Sequence, residues 1–287
     1  MQHQTSICLW YNHQAEEAAN FYTSIFKNAK ITNAAKHDGK ILTAGFNLEG
    51  TQFLGLNGGP MFTPNPAISF FVTISDSEEL QQLWDKFIAD GKIMMPLDKY
   101  PWSEKYGWVQ DQFGISWQLC QGDETQAGQK IAPMLMFCGA QQGNADDAIK
   151  FYTSVFKNGK INSVEYYKEG QIQNIDAKVV HARFELNGDL FMAMDSGIAQ
   201  PFDFNEAVSI IVNCNNQDEI DYYWNTLTDD GGAESMCGWL KDKFGVSWQI
   251  VPANLSLLMT GDPEKSQRVM AAIMKMGKLV IADLENA

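Results

Sequence analysis

The chain has 287 residues, of which 45% are hydrophobic and 20% charged, and its formal net charge is −14. This size and composition predict a globular protein of two ordinary domains. The acidic balance argues against a nucleic-acid partner, because phosphate binding needs a basic surface. No apolar run is long enough to span a membrane and no signal segment is apparent, so no membrane partner is expected. The five scattered cysteines predict reduced thiols in a cytoplasmic protein.

The predicted elements follow the order β-α-β-β-β, twice within the first 120 residues. Apolar periodicity and turn residues delimit them. Strands are predicted at 6–11, 41–48, 51–56, 67–74, 108–110 and 115–120, and helices within 15–31 and after the capping sequence at 75–78. Residues 92–106 are interpreted as a loop.

The second half repeats the first. AEEAANFYTSIFKNAKI at 15–31 returns as ADDAIKFYTSVFKNGKI at 145–161, and the apolar stripe of each helix predicts that Tyr22 and Tyr152 are core residues. The predicted organisation is domain 1 at 1–120, a linker at 121–130, domain 2 at 131–252 and a helical tail at 253–287 that packs on a domain. The two halves should superpose, with loop 96–106 as their main difference.

Several motifs carry a family resemblance: LNGGP at 56–60, NPAISFFV at 65–72 and GWLKDKFGVSWQIVP at 238–252. The chain resembles the PhnB-like proteins, a family labelled 3-demethylubiquinone-9 3-methyltransferase in the glyoxalase, bleomycin-resistance and extradiol-dioxygenase (vicinal oxygen chelate) superfamily. The resemblance implies an α+β fold of tandem glyoxalase-like domains. Each domain would have two βαβββ modules, a curved mixed sheet, helices on its convex side and a ligand cup on its concave side. Such a fold hosts isomerases, dioxygenases, lyases and metal-free binding proteins, so it leaves the activity open.

Strand alternation sorts the side chains of such a sheet into a helix-facing set and a cup-facing set. It predicts that Ile115, Trp117 and Leu119 face the helices. The predicted ligand-binding residues of the first half are Trp10, Phe53, Asn57, Ser69, Phe71 and Gln118. Those of the second half are His181, Arg183, Glu185, Asp195 and Gln249. Whether the aromatic members bind a ligand or fill the cup as core stays open at this point.

The strand at 180–186 alternates strictly and directs three polar side chains away from the helices. Arg183 could grip a carboxylate or phosphate oxygen, and His181 could act as an acid or base near neutral pH. The alternative is a solvent-exposed strand on which Arg183 and Glu185 merely pair.

Metal-dependent relatives of the superfamily place four ligands on the cup face. By motif, the matching places are Ser6, Phe53, Ser69 and Gln118 in the first half and Ala132, Phe191, Ser209 and Gln249 in the second. None is His, Glu or Asp, so no metal is expected. No cofactor is expected either, because the glycine pair at 58–59 leads to a strand and no phosphate-cradling motif is present.

These observations predict a metal-independent protein that binds a small, partly apolar molecule, with no catalytic residue assigned. The alternative is an enzyme of the labelled methyltransferase type, or a lyase or isomerase that acts in the cup. The repeat predicts an internal pseudo-dimer and leaves a homodimer of chains open.

Overall fold

A computed structural model describes residues 4–37, 39–172, 176–260 and 262–287. The first half contains two βαβββ modules. Module 1 consists of β1 (Thr5–Tyr11), α1 (Ala15–Ile25), β2 (Ala29–His37), β3 (Lys40–Leu48) and β4 (Thr51–Asn57). Module 2 consists of β5 (Ile68–Ile74), α2 (Ser77–Ile88), β6 (Lys92–Tyr100), β7 (Ser103–Gln110) and β8 (Ser116–Gln121). The short helix α3 (Glu124–Ala127) leads into the second half.

The second half repeats this order and then adds helices. Module 3 consists of β9 (Ile131–Phe137), α4 (Ala145–Val155), β10 (Lys160–Tyr166), β11 (Val179–Leu186) and β12 (Asp189–Asp195). Module 4 consists of β13 (Val208–Cys214), α5 (Gln217–Thr228), β14 (Ala233–Glu234), β15 (Trp239–Lys241) and β16 (Ser247–Pro252). The tail forms α6 (Leu255–Thr260), α7 (Pro263–Ile273) and α8 (Ile281–Glu285). The predicted fold class is confirmed. The segment predicted as a loop at 92–106 is instead mostly hairpin strand, because bulges and Pro96 obscure its alternation.

Local sequence explains where the equivalent helices of modules 1 and 3 begin. Asn57 ends β4, and its Oδ1 accepts the Ala15 backbone N–H of α1 at 2.9 Å. Asp195 ends β12, and its Oδ1 accepts the Ala145 backbone N–H of α4 at 3.1 Å. The first N–H groups of a helix lack partners within it, so each strand end supplies an acceptor that the helix start needs. Asn57 and Asp195 are therefore helix-start acceptors rather than cup residues.

The modules pair across the two halves. Sheet A has the strand order β14-β15-β16-β13-β1-β4-β3-β2 and so joins modules 1 and 4. Sheet B has the order β10-β11-β12-β9-β5-β8-β7-β6 and joins modules 2 and 3. At the two junctions β1 runs antiparallel to β13 and β5 runs antiparallel to β9. A single chain therefore supplies both modules of each sheet, as an internal pseudo-dimer.

The core lies between the two sheets and includes the helices α1, α2, α4 and α5. Phe53 of sheet A meets Phe70 of sheet B edge-on with ring centroids 5.1 Å apart, and Phe70 lies 5.2 Å from Trp117. We call this side of each sheet its core face and the opposite side its outer face. Aromatic pairs of this kind each contribute about 0.5–1.5 kcal/mol beyond their burial.

One buried carboxylate in each half connects its two modules. The Tyr22 hydroxyl and the Trp117 indole N–H donate to Asp111 Oδ2 at 2.7 and 2.8 Å, and the backbone N–H groups of Phe113 and Ile115 donate to Oδ1. The equivalent donors to Asp242 in the second half are Tyr152, Trp248, Phe244 and Val246. Tyr22 and Tyr152 are fully buried, as predicted. Each tyrosine lies on the helix of a module that belongs to one sheet, and its aspartate partner lies in a module that belongs to the other sheet. The carboxylates therefore hold the two sheets together.

The helical tail covers the outer face of sheet A. Its buried residues Val269, Ile273, Leu279 and Leu284 form one apolar cluster with Cys8, Ile211 and Val251 of the sheet. The backbone N–H groups of Cys237 and Gly238 donate to the carbonyls of Met276 and Gly277 at 2.7 and 2.8 Å. The cluster therefore closes the cup side of sheet A with the chain's own residues. Within the described parts of the chain, no helix is long and apolar enough to cross a membrane.

We predict that ionisation of the buried aspartates makes stability depend on pH. Burial raises the pKa of Asp111 from 3.8 to about 6, against the pull of its hydrogen bonds. The folded state then binds the proton more tightly than the unfolded state does. This stabilisation is complete below about pH 4 and is lost as the pH rises through about 6. The loss is roughly 3 kcal/mol, because the pKa of Asp111 differs by about two between the folded and the unfolded state.

The test is urea unfolding of the wild type and the Asp111→Asn variant at several pH values. Asparagine turns an N–H donor towards Trp117 and does not ionise, so we expect the variant to be less stable, with a deficit that is largest near pH 4 and shrinks by pH 7. Asp123→Asn is the control, because hydrogen bonds lower the pKa of that exposed linker residue. A deficit for Asp111→Asn that grows with pH would contradict the prediction.

We also predict that the tail contributes to the stability of the whole fold. Leu279→Ala removes a fully buried side chain from the cluster on sheet A and should lower the free energy of unfolding by about 2–5 kcal/mol. Leu257→Ala is the matched control, because Leu257 lies in the same tail with 75% of its surface exposed. Equal urea midpoints for the two variants would show that the tail only rests on the sheet.

Candidate functional site

Four of the predicted ligand-binding positions lie in sheet A, and two of them reach its outer face. Trp10 and Gln249 are on that face, whereas Phe53 and Asn57 are on the core face. Phe53 stacks on Phe46 with ring centroids 5.3 Å apart. The prediction that Phe53 faces the cup is therefore wrong. Strand β4 is apolar on both sides, because Leu54 and Leu56 on its outer face pack against the tail cluster. The sequence of β4 therefore does not show which of its sides faces the core.

Trp10 sits at the open end of the outer face of sheet A. Its indole N–H donates to the Gly59 carbonyl at 2.7 Å, and its ring lies 5.0 Å from that of Phe62 and 6.0 Å from that of Trp239. A Cβ at position 58 would lie 2.2 Å from the Trp10 ring, so this close approach requires Gly58. Gly58 thus leaves room for the Trp10 ring, and the Gly59 carbonyl accepts the hydrogen bond of its indole N–H.

The polar pair of sheet A lies sealed beneath the tail. Gln249 Nε2 donates to Ser209 Oγ at 3.0 Å, and both residues are buried. Burial raises the pKa of the neighbouring Cys8 to about 11. The equivalent pair of sheet B, Ser69 and Gln118, is buried to a similar degree, so the tail and not the exposure of the pair distinguishes the two faces.

Two openings elsewhere contain little of the predicted site. A groove of about 340 Å³ lies between β2 and the tail, lined by residues such as Ala34, Met259 and Met270. A cavity of about 20 Å³ lies between the sheets near Thr5 and Phe191 and could hold a single water molecule. Neither opening involves the outer face of sheet B.

The outer face of sheet B collects most of the predicted polar residues. Gln118 Nε2 donates to Ser69 Oγ at 2.8 Å, and the Tyr106 hydroxyl donates to Gln118 Oε1 at 2.7 Å. Beside this row the Trp108 indole N–H donates to Ser116 Oγ at 2.6 Å. Burial raises the pKa of Tyr106, so its hydroxyl stays protonated and keeps this direction of donation. These bonds give the face a fixed polar floor.

Apolar side chains surround this floor. A cluster separate from the main core contains Ala132, Met134, Leu190 and Met192, with Phe71 and Met194 against it. The Phe71 ring lies 6.4 Å from that of Tyr106 and 6.1 Å from that of His181. Aromatic contacts continue from Tyr106 to Tyr100 and Trp102 at the tip of the β6–β7 hairpin, where Trp102 is 62% exposed. Met134 and Met192 are buried, whereas Phe71 and Met194 are partly exposed, so flexible thioethers and aromatic rings pack together on this face.

The strand β11 adds His181, Arg183 and Glu185 to the same outer face, opposite the core residues Ala182, Phe184 and Leu186. Burial lowers the pKa of His181; Arg183 acts in the same direction and Glu165 opposes it. An Arg183 Nη2–H donates to the Ala127 carbonyl at 2.7 Å, and Glu185 accepts a hydrogen bond from Asn162 at 2.8 Å. Glu185 therefore turns towards the edge strand β10 rather than pairing with Arg183.

Three positions of β12 correct the sequence prediction. Phe191, Ala193 and Asp195 lie on the core face, and Asp195 Oδ2 accepts the backbone N–H groups of Lys178 and Val179 at 2.9 Å. The outward residues are Leu190, Met192 and Met194, whose apolar character makes both sides of β12 look alike in sequence. The sequence prediction missed that leucine and methionine side chains occupy the outer face of β12.

The grouping of the site residues also differs from the sequence prediction. Ser69, Phe71 and Gln118 of the first half share one face with His181, Arg183 and Glu185 of the second half, because modules 2 and 3 form one sheet. Trp10 and Gln249 share the other sheet. In residues 4–37, 39–172, 176–260 and 262–287, no three His, Cys, Asp or Glu side chains are grouped to hold a metal ion.

Comparison with solved structures supports the architecture. Glyoxalase I from Zea mays shares 13% sequence identity with the chain over 87% of this chain and 94% of its own, with a TM-score of 0.54. A PhnB protein from Bacillus cereus is 37% identical over 41% of this chain and 98% of its own, with a TM-score of 0.39. A protein from Staphylococcus aureus is 32% identical over 43% and 100%, with a TM-score of 0.19. None of the curated proteins compared with the chain matches it.

A protein-family comparison covers most of the chain in two blocks. The family described as 3-demethylubiquinone-9 3-methyltransferase matches residues 3–120 and again residues 129–251. The two matched blocks correspond to the two repeated halves and leave out the tail. The chain therefore belongs to this PhnB-like family.

Proposed function

We propose that this is a cytoplasmic protein that binds a small, partly apolar molecule, without a metal, on the outer face of sheet B. The observation that carries the proposal is the difference between the two outer faces. The tail cluster fills the outer face of sheet A, whereas on sheet B the partly exposed Phe71 and Met194 lie beside buried methionines and a hydrogen-bonded polar floor. Ligand sites commonly combine such an apolar lining with a few placed polar groups.

The polar floor supports a binding role. Ser69 and Gln118 are buried and already bonded to each other and to Tyr106. A ligand on this floor meets groups whose positions are fixed, with Phe71 beside Gln118 on the neighbouring strand. The Phe71 ring spans from Tyr106 to His181, so an apolar ligand contacts it in most positions.

The state of the cysteines fits the proposed location. Cys8, Cys120, Cys138, Cys214 and Cys237 are all free thiols. Burial raises the pKa of Cys138 and Cys214 to about 12, which keeps both protonated and unreactive at neutral pH.

A neutral fluorescent probe, phenylnaphthylamine, tests the proposed face. We expect saturable binding to one site per chain, and Phe71→Ala should weaken it at least about tenfold because the ring supplies the central apolar contact. The matched control is Ile211→Ala, at the equivalent position of sheet A beneath the tail. Fluorescence titration gives both dissociation constants. Equal effects of the two variants, or none from Phe71→Ala, would contradict the proposed site.

Metal analysis tests the other part of the proposal. Gln118 Nε2 donates to Ser69 Oγ, and this pair supplies no carboxylate or imidazole. Elemental analysis of protein purified without chelator should therefore find zinc, nickel, manganese and iron far below one atom per chain. Stoichiometric metal that disappears in Gln118→Ala but remains in Gln249→Ala would overturn metal independence.

A further inference from the structure

We infer that the ligand of this face carries an oxyanion, such as a carboxylate or sulfonate, that Arg183 binds. This inference rests on the proposed function and names the class of molecule that the same face takes: an apolar, ring-bearing body with one anionic group. The chain has two arginines, and they differ in exposure. Arg268 is exposed on α7, whereas Arg183 is half-buried on the outer face of sheet B.

Arg183 has unused hydrogen-bonding capacity. A guanidinium has five N–H donors. Within the parts of the chain that the structure describes, Arg183 makes one hydrogen bond, to the Ala127 carbonyl, and no carboxylate lies within 4.0 Å of it. The chain has 35 acidic residues, yet the nearest one on the same strand, Glu185, bonds Asn162 instead. A half-buried cation without a counter-ion is costly unless another group pairs with it.

The hydrogen bond to Ala127 orients the guanidinium. Ala127 is the last residue of α3, which follows module 2 directly. The bond holds one nitrogen and leaves the rest of the planar group to bind a carboxylate or sulfonate at two points, the geometry for which arginine is suited. The simpler alternative is that Arg183 only caps the last carbonyl of α3. The two alternatives differ in one measurable respect, because a cap does not distinguish a charged ligand from a neutral one.

The surroundings of Arg183 determine the rest of the ligand. Met192 lies beside it on β12, and Met192 in turn pairs with Met134 on β9. His181 is two residues away on the same face, against Phe71. Met134 and Met192 are buried, and Phe71 and Met194 beside them are partly exposed, so an anion bound at Arg183 projects its body towards Phe71 and Met194. A small inorganic anion alone would leave this apolar surface unused.

A pair of probes separates the anchor from the apolar contact. Anilinonaphthalene sulfonate and phenylnaphthylamine share one ring system, and only the first carries a sulfonate. In Arg183→Gln we expect the dissociation constant of the sulfonate probe to rise at least about tenfold, the scale of a lost charge-assisted hydrogen bond. Binding of the neutral probe should change less than about twofold. Arg183→Lys keeps the charge and should retain part of the preference for the sulfonate.

Arg268→Gln is the matched control, since it removes the other arginine from an exposed position, and it should leave both probes unaffected. Thermal melting of each variant verifies its folding. Equal weakening of both probes by Arg183→Gln would show that Arg183 only supports α3, and unchanged binding of both would also overturn the inference. If Phe71→Ala affects neither probe, the proposed face itself is wrong, a failure that differs from that of the arginine.

Discussion

The two buried carboxylates are the constraint on which the rest of this structure depends. Asp111 and Asp242 each accept four hydrogen bonds, and each joins the helix of one module to the last strand of the module that follows it in the chain. Strand pairing joins module 1 to module 4 and module 2 to module 3, whereas the carboxylates join module 1 to module 2 and module 3 to module 4. The four modules are thus linked in a closed ring, and one chain forms a two-fold assembly that would otherwise need two copies.

This symmetry makes the differences between the sheets informative. In sheet B the β6–β7 hairpin is long and extends aromatic residues beyond the outer face. In sheet A the equivalent hairpin, β14–β15, is short, and the tail covers the outer face of the sheet. The same Ser–Gln pair occurs in both sheets, bonded in the same way, at 2.8 Å in one and 3.0 Å in the other. The covering of the face, rather than the polar pair itself, therefore distinguishes the two sides.

The repeat predicted the order of the elements, and the family resemblance implied the fold class. The alternation of three strands was enough to predict the outward direction of Ser69, Gln118 and Arg183. These strands have polar residues on one side only, so their period of two is unambiguous. Strands β4 and β12 are apolar on both sides, because a tail or a methionine cluster covers their outer faces. Phe53 and Asp195 were misplaced for that reason. The pairing of modules could not be predicted, since equivalent edge strands in a repeat are interchangeable until the linker and the buried carboxylates favour one arrangement.

The hydrogen bonds of the floor bear on how the proposed face would select a ligand without a metal. Gln118 donates to Ser69 and accepts from Tyr106, so these bonds hold the floor in one geometry before any ligand is present. Selectivity then falls to the rim, where unsatisfied groups remain. On the proposed face Arg183 is such a group: it is half-buried and held at one nitrogen, in a chain whose net charge is −14. We expect a face of this kind to discriminate by one charge at its edge and by shape across its rings, whereas at a metal site the ion itself orients the ligand.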